Sequence, residues 1–167
     1  MNLSIDCSYN RCEERFWIRA AGYKGTCVMD FTENFSAINL LVVFGATVAA
    51  NLLGGLWYSP IFLGKPWKAA LGRELAGEMT NQVGTFVSSF VMHLVMASML
   101  AALLGPTATP QEGMRLGALI GVAFVATALG VTNLFERRPL TLIAINSGYH
   151  VAALCLMGFI IGQWGTG

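Results

Sequence analysis

Charge is missing from every long apolar stretch of this 167-residue chain. Residues Ser36–Tyr58, Val83–Leu104, Leu116–Phe135 and Pro139–Trp164 hold no Asp, Glu, Lys or Arg, and all ten basic and nine acidic residues lie before or between them. A soluble helix of that length carries charge on its solvent face, so the absence excludes a soluble bundle. Charged residues make up 11% of the chain, where soluble domains average about a quarter. The net charge of +1 rests on scattered basic residues, which leaves no footprint for a nucleic-acid partner.

Other absences narrow the chemistry. No carboxylate lies inside an apolar stretch, which argues against a proton-coupled exporter of the small multidrug type, whose mechanism needs a buried acid. No serine, histidine and carboxylate are spaced for hydrolysis and no phosphate-binding loop occurs, so nothing supports an enzyme, and no catalytic residue or cofactor is implied. Of the four cysteines, Cys7, Cys12 and Cys27 lie in the first 28 residues and Cys155 in the last apolar stretch. Their spacing fits no zinc pattern and no histidine is near the first three, so no metal site is read there. The apolar runs do not alternate, as strands of a membrane barrel would over about ten residues.

What is present is four runs long enough to cross a hydrocarbon core, which takes about 20 helical residues. Backbone polar groups cannot stay unpaired in lipid, so runs apolar on all sides are helices. The expected architecture is all-α: an integral membrane up-down four-helix bundle with spans at about 36–58, 83–104, 114–135 and 140–163. Residues 1–35 form an N-terminal tail apart from the transmembrane domain at 36–164. Residues 1–28 show neither an apolar period nor a secretory signal. Met29 opens a more ordinary membrane-protein start, and the expectation is that it is the initiator, with a non-native or disordered segment upstream.

Loops one and three carry Lys65, Lys68, Arg73, Arg137 and Arg138, whereas the opposite side carries only Arg115 when counted from Met29. The positive-inside rule puts both basic loops in the cytoplasm and both termini outside, in the cell inner membrane. The tail residues Arg11, Arg15, Arg19 and Lys24 equalise the counts, but only Arg19 and Lys24 lie near the first span. In loop one, Trp57, Tyr58 and Trp67 are rings of the kind that settle at headgroup level. Pro60 stops the first span, and Pro66 suits the start of a short interfacial helix with Trp67, Ala70, Leu71, Leu75 and Met79 on its apolar side. In the Glu136-Arg137-Arg138 turn the two arginines are expected to neutralise Glu136 and to reach lipid phosphates. Two readings stay open for these loops: surface anchoring, or a pocket for an anionic group built from Trp57, Tyr58, Lys65, Trp67, Glu136, Arg137 and Arg138.

Polar residues at depth are costly. The second span holds His93 near its middle, and the fourth holds Asn146, Tyr149 and His150, with Asn146 and His150 one turn apart on one face. The two histidines are expected at similar depth. Interhelical hydrogen bonding, a proton or ion relay through His93, Asn146 and His150, and haem or metal redox chemistry at His150 all remain open. Rows of small residues (Gly113, Gly117 and Gly121; Ala46, Ala50 and Gly54; Gly158 and Gly162) permit close helix approach, and a row left outside would suit a homodimer. Membrane lipids are the expected partners, and any small-molecule ligand is unidentified.

The run GGLWYSPIFLGKPW and the later run NLFERRPLTLIAINSGYH resemble a family of small bacterial membrane proteins catalogued as domain of unknown function 1761. The resemblance covers about residues 36–163 and implies a four-span protein that begins shortly before its first helix. The matched positions are Trp57, Tyr58, Ser59, Pro60, Gly64, Lys65 and Trp67, then Glu136, Arg137, Pro139, Asn146, Gly148, Tyr149 and His150; His93 lies outside both motifs. The resemblance implies no activity, cofactor or substrate. The function expected from the residues is binding or transport of a small molecule or ion in the cytoplasmic half of the bundle, with a structural or partner-binding role as the alternative.

Overall fold

Residues 38–72, 82–105 and 107–164 are described by the structure, a computed structural model. The expected tail at 1–35, the Met29 start, and Leu75 and Met79 of the first loop lie outside them. Among the described residues seven helical segments follow one another: α1 (Leu40–Trp57), α2 (Gly64–Leu71), α3 (Gln82–Leu104), α4 (Pro110–Ile120), a π-helical segment (Gly121–Ala126), α5 (Thr127–Phe135) and α6 (Leu140–Trp164). Leu40–Trp57, Gln82–Leu104, Pro110–Phe135 and Leu140–Trp164 are long and apolar enough to cross a membrane. The protein is an all-helical, four-span membrane bundle.

Caps place the span ends a few residues from where apolarity alone puts them. Asn39 accepts from the Leu41 and Val42 amides at 3.1 and 3.4 Å, so α1 begins at Leu40 rather than near 36. The third span begins at Pro110 rather than 114. Thr109 and Glu112 form a reciprocal capping box, with Pro110 in the first turn, where a missing N–H costs nothing. Helix α2 starts two residues before Pro66 and ends at Gly72, whose φ of +87° breaks the helix. It is therefore shorter than the apolar pattern suggests.

The last span is the hub, since α6 packs against α1, α3 and the whole third span, and against α2. Two different seams run along it. Toward the third span, a Cβ on Gly113 would strike the Gly158 carbonyl, and one on Gly158 would strike the Gly113 carbonyl. Gly162 meets Thr109, Gly117 meets Leu154 and Gly121 meets Val151 in the same way. Each step of about one turn along the third span is matched by one turn back along α6. In lipid, where apolar side chains gain little by associating, such backbone contact is what draws helices together. Toward the first two spans, Val43, Ala46, Thr47 and Ala50 make the buried stripe of α1 and meet Ala97, Leu100, Ala153, Leu154 and Met157.

The third span is not a uniform helix. Past Gly121 its turn widens to the π form, and the Thr127 hydroxyl closes that segment by donating to the Ala123 and Phe124 carbonyls at 2.7 and 3.0 Å. Helix α5, which follows, buries none of its residues.

Candidate functional site

The polar side chains gather along α6 at the end that carries the two basic loops, and loop one folds back to meet them. After α1 the chain turns tightly: Leu63 donates its amide to the Trp57 carbonyl and Gly64 donates to Ser59. A Cβ on Gly64 would collide with the Tyr58 carbonyl, so glycine permits the turn. This brings Trp67 back beside Tyr58, with ring centroids 5.2 Å apart.

Three aromatic donors then converge on one turn of α6. The Trp57 indole donates to the Ile145 carbonyl at 3.1 Å. The Tyr58 hydroxyl donates to Asn146 Oδ1 at 3.2 Å, and the Trp67 indole donates to the same oxygen at 3.1 Å. Two donors on one atom fix the orientation of the Asn146 amide. Trp67 is thus docked onto the last span, where the sequence pattern placed it flat among headgroups.

One turn deeper lies a second network. The Tyr149 hydroxyl donates to the Ala50 carbonyl at 3.1 Å and lies 3.0 Å from His93 Nε2. Which His93 nitrogen carries the hydrogen decides whether His93 or Tyr149 donates across that contact. On its other side, His93 Nδ1 lies 3.4 Å from the Ser89 hydroxyl. The contacts run from Ser89 to His93 to Tyr149 to the Ala50 backbone. Gly54 makes room for it, because a Cβ there would lie 2.9 Å from the Tyr149 oxygen.

His150 adjoins this network without joining it. Its ring centroid is 6.4 Å from that of His93 and 5.0 Å from that of Tyr149. Its Nδ1 and the Ser147 hydroxyl oxygen are buried and have no hydrogen-bond partner. Both His93 nitrogens have partners, in Ser89 and Tyr149. Among the described residues no group of three or more His, Cys, Asp or Glu is placed to hold a metal.

The charged candidates lie elsewhere. Lys65 is exposed at the start of α2. Glu136 accepts from Arg138 Nε at 3.2 Å in a solvent-facing pair, so one arginine rather than two neutralises it among the described residues. Arg137 sits at the turn with φ of 57°, a position that usually favours glycine. None of these four side chains is bonded to the Asn146 or His93 network among the described residues.

Sequence reasoning missed Ser89, Ser147 and the Ala50 carbonyl. Ser89 lies one turn before His93, and Ser147 one turn before His150, so the four-and-three spacing was a usable signal for both. The carbonyl had none, since every residue has one. The small-residue rows all face inward, leaving none of them as an outer dimer surface.

A family model described as protein of unknown function, DUF1761, matches residues 41–162, and the chain belongs to that family. No curated protein and no solved structure matches it.

Proposed function

We propose that this member of the DUF1761 family binds a small polar solute on the buried face of its last span, in the half of the membrane next to its basic loops. The observation that supports it is the pair of stranded atoms, Ser147 Oγ and His150 Nδ1. A buried polar atom without a partner costs about 1–3 kcal/mol, and both stand beside the network that joins His93, Tyr149 and the Ala50 carbonyl. A bound solute supplies the missing partner. In this reading Asn146, Trp57, Tyr58 and Trp67 hold the wall in place, Tyr149 and His93 form its floor, and the basic loops keep that end in the cytoplasm of the inner membrane.

A purely structural role for the aromatic cluster is favoured by a separate observation: both acceptor positions of Asn146 Oδ1 are filled from within the chain. The two roles occupy different residues and separate experimentally. Native mass spectrometry of the full chain released from nanodiscs should show a retained small molecule. His150→Leu should lose it with little loss of stability, whereas Asn146→Leu should lower stability. A wild-type protein that never carries retained mass contradicts the binding reading.

A further inference from the structure

The stranded atoms sit at a particular place on the third span, and that place constrains what they hold. Gly121 packs on Val151, with a Cβ there reaching 2.9 Å from the Val151 Cα. One turn from Val151 toward the basic end is Ser147, and one turn from Gly121 in the same direction is Val125, which packs against the core. The π-helical segment Gly121–Ala126 therefore lies level with Ser147 and packs on α6. A π turn is wider than an α turn and commonly marks a functional position. His150 stands at the border of the glycine seam and the polar seam, beside His93 and Tyr149. Beyond the π segment, α5 still packs on α6 but has no fully buried residue.

The charge around this junction decides the kind of ligand. Arg138, Arg137 and Glu136 lie more than two helical turns from Ser147 toward the basic end, and Arg115 and Glu112 lie as far from Val125 toward the other. No other described Asp, Glu, Lys or Arg belongs to these two spans. An ion taken into such a place loses its hydration without a counter-charge. A neutral molecule with a hydrogen-bond donor and acceptor loses little, because a hydroxyl and an imidazole nitrogen can meet both needs. We infer that Ser147, His150 and the π-helical segment of the third span form a site for a small uncharged hydrogen-bonding solute of amide or alcohol type. The inference rests on the binding reading above and adds the ligand class and the third wall.

Acetamide and acetate share a shape and differ in charge, which makes them the discriminating probes. Saturation-transfer NMR on the full chain in nanodiscs should give a protein-dependent signal with acetamide or glycerol. Ser147→Val and His150→Phe, each melting as the wild type does, should weaken that binding about tenfold, the scale of one lost hydrogen bond. Acetate and methylammonium should give no such signal. Acetate or methylammonium binding that Ser147→Val removes would overturn the neutral-solute assignment while leaving the binding reading intact. Silence from all four probes overturns the assignment as well, and a wild type that also carries no retained mass removes both.

Discussion

The last span presents two seams built on opposite principles. Toward the third span it is closed by backbone against backbone, with Gly113 on Gly158 and Gly162 on Thr109. Toward the first two spans it is closed by side-chain hydrogen bonds, from Trp67 and Tyr58 to Asn146 and from His93 through Tyr149 to Ala50. The glycine seam has no chemistry and tolerates no added atom. The polar seam is rich in chemistry, and its indole and phenol donors are paired with acceptors on α1 and α6. The unmatched atoms fall where the two seams meet, which separates residues that hold the fold from residues free to hold something else.

The comparison breaks most readily at the glycine seam. Gly158→Leu should detach the third span and cost about 3 kcal/mol or more, since no side chain can retreat from a carbonyl. Unfolding in mild detergent, with protease access to the third span, reads this. A wild-type melting curve would show that the seam is not what the geometry says. Asn146→Leu comes next: it strands the Tyr58 and Trp67 donors at a cost of about 2 kcal/mol. Trp67 emission should shift to the red as its indole leaves the span, and an unchanged spectrum would detach Trp67 from the account.

Smaller effects sharpen the contrast. Tyr149→Phe removes the link between His93 and Ala50 and should cost about 1 kcal/mol, measured by thermal unfolding. A histidine ring left in its present tautomer by nitrogen NMR would mean that Tyr149 does not set it. Gly130, by contrast, has open space around it. Gly130→Ala should leave stability unchanged or raise it by about 0.5–1 kcal/mol through helix propensity; a loss would place an unseen neighbour against α5.

Most of the architecture was legible because lipid makes its demand residue by residue. Charge-free runs mark spans, and Asn146, Tyr149 and His150 stand out as polar groups in an apolar helix. The glycine rows announced close approach, although their partners depended on register, which the pattern does not state. The caps at Asn39 and Thr109 moved span ends because side chains satisfy amides there. Three features stayed hidden for one reason. The π turn at Gly121, the Ala50 carbonyl and the docking of Trp67 on Asn146 are decided by how helices sit together, and no single residue carries their mark. The loop cations Lys65, Arg137 and Arg138 were legible as residues, while their distance from the Asn146 and His93 network depends on how the loops fold back.

The measurement that goes straight to the junction is the stability of Ser147→Ala set beside its retained solute. A hydroxyl that is buried and unpartnered contributes nothing to the empty fold, so its removal should leave the melting temperature of solute-free protein unchanged or raise it, by up to about 1–3 kcal/mol in stability. The same variant should lose the retained solute. A fall in stability like that of Asn146→Leu, with no change in retained mass, would show Ser147 to be one more packing contact and would contradict the account.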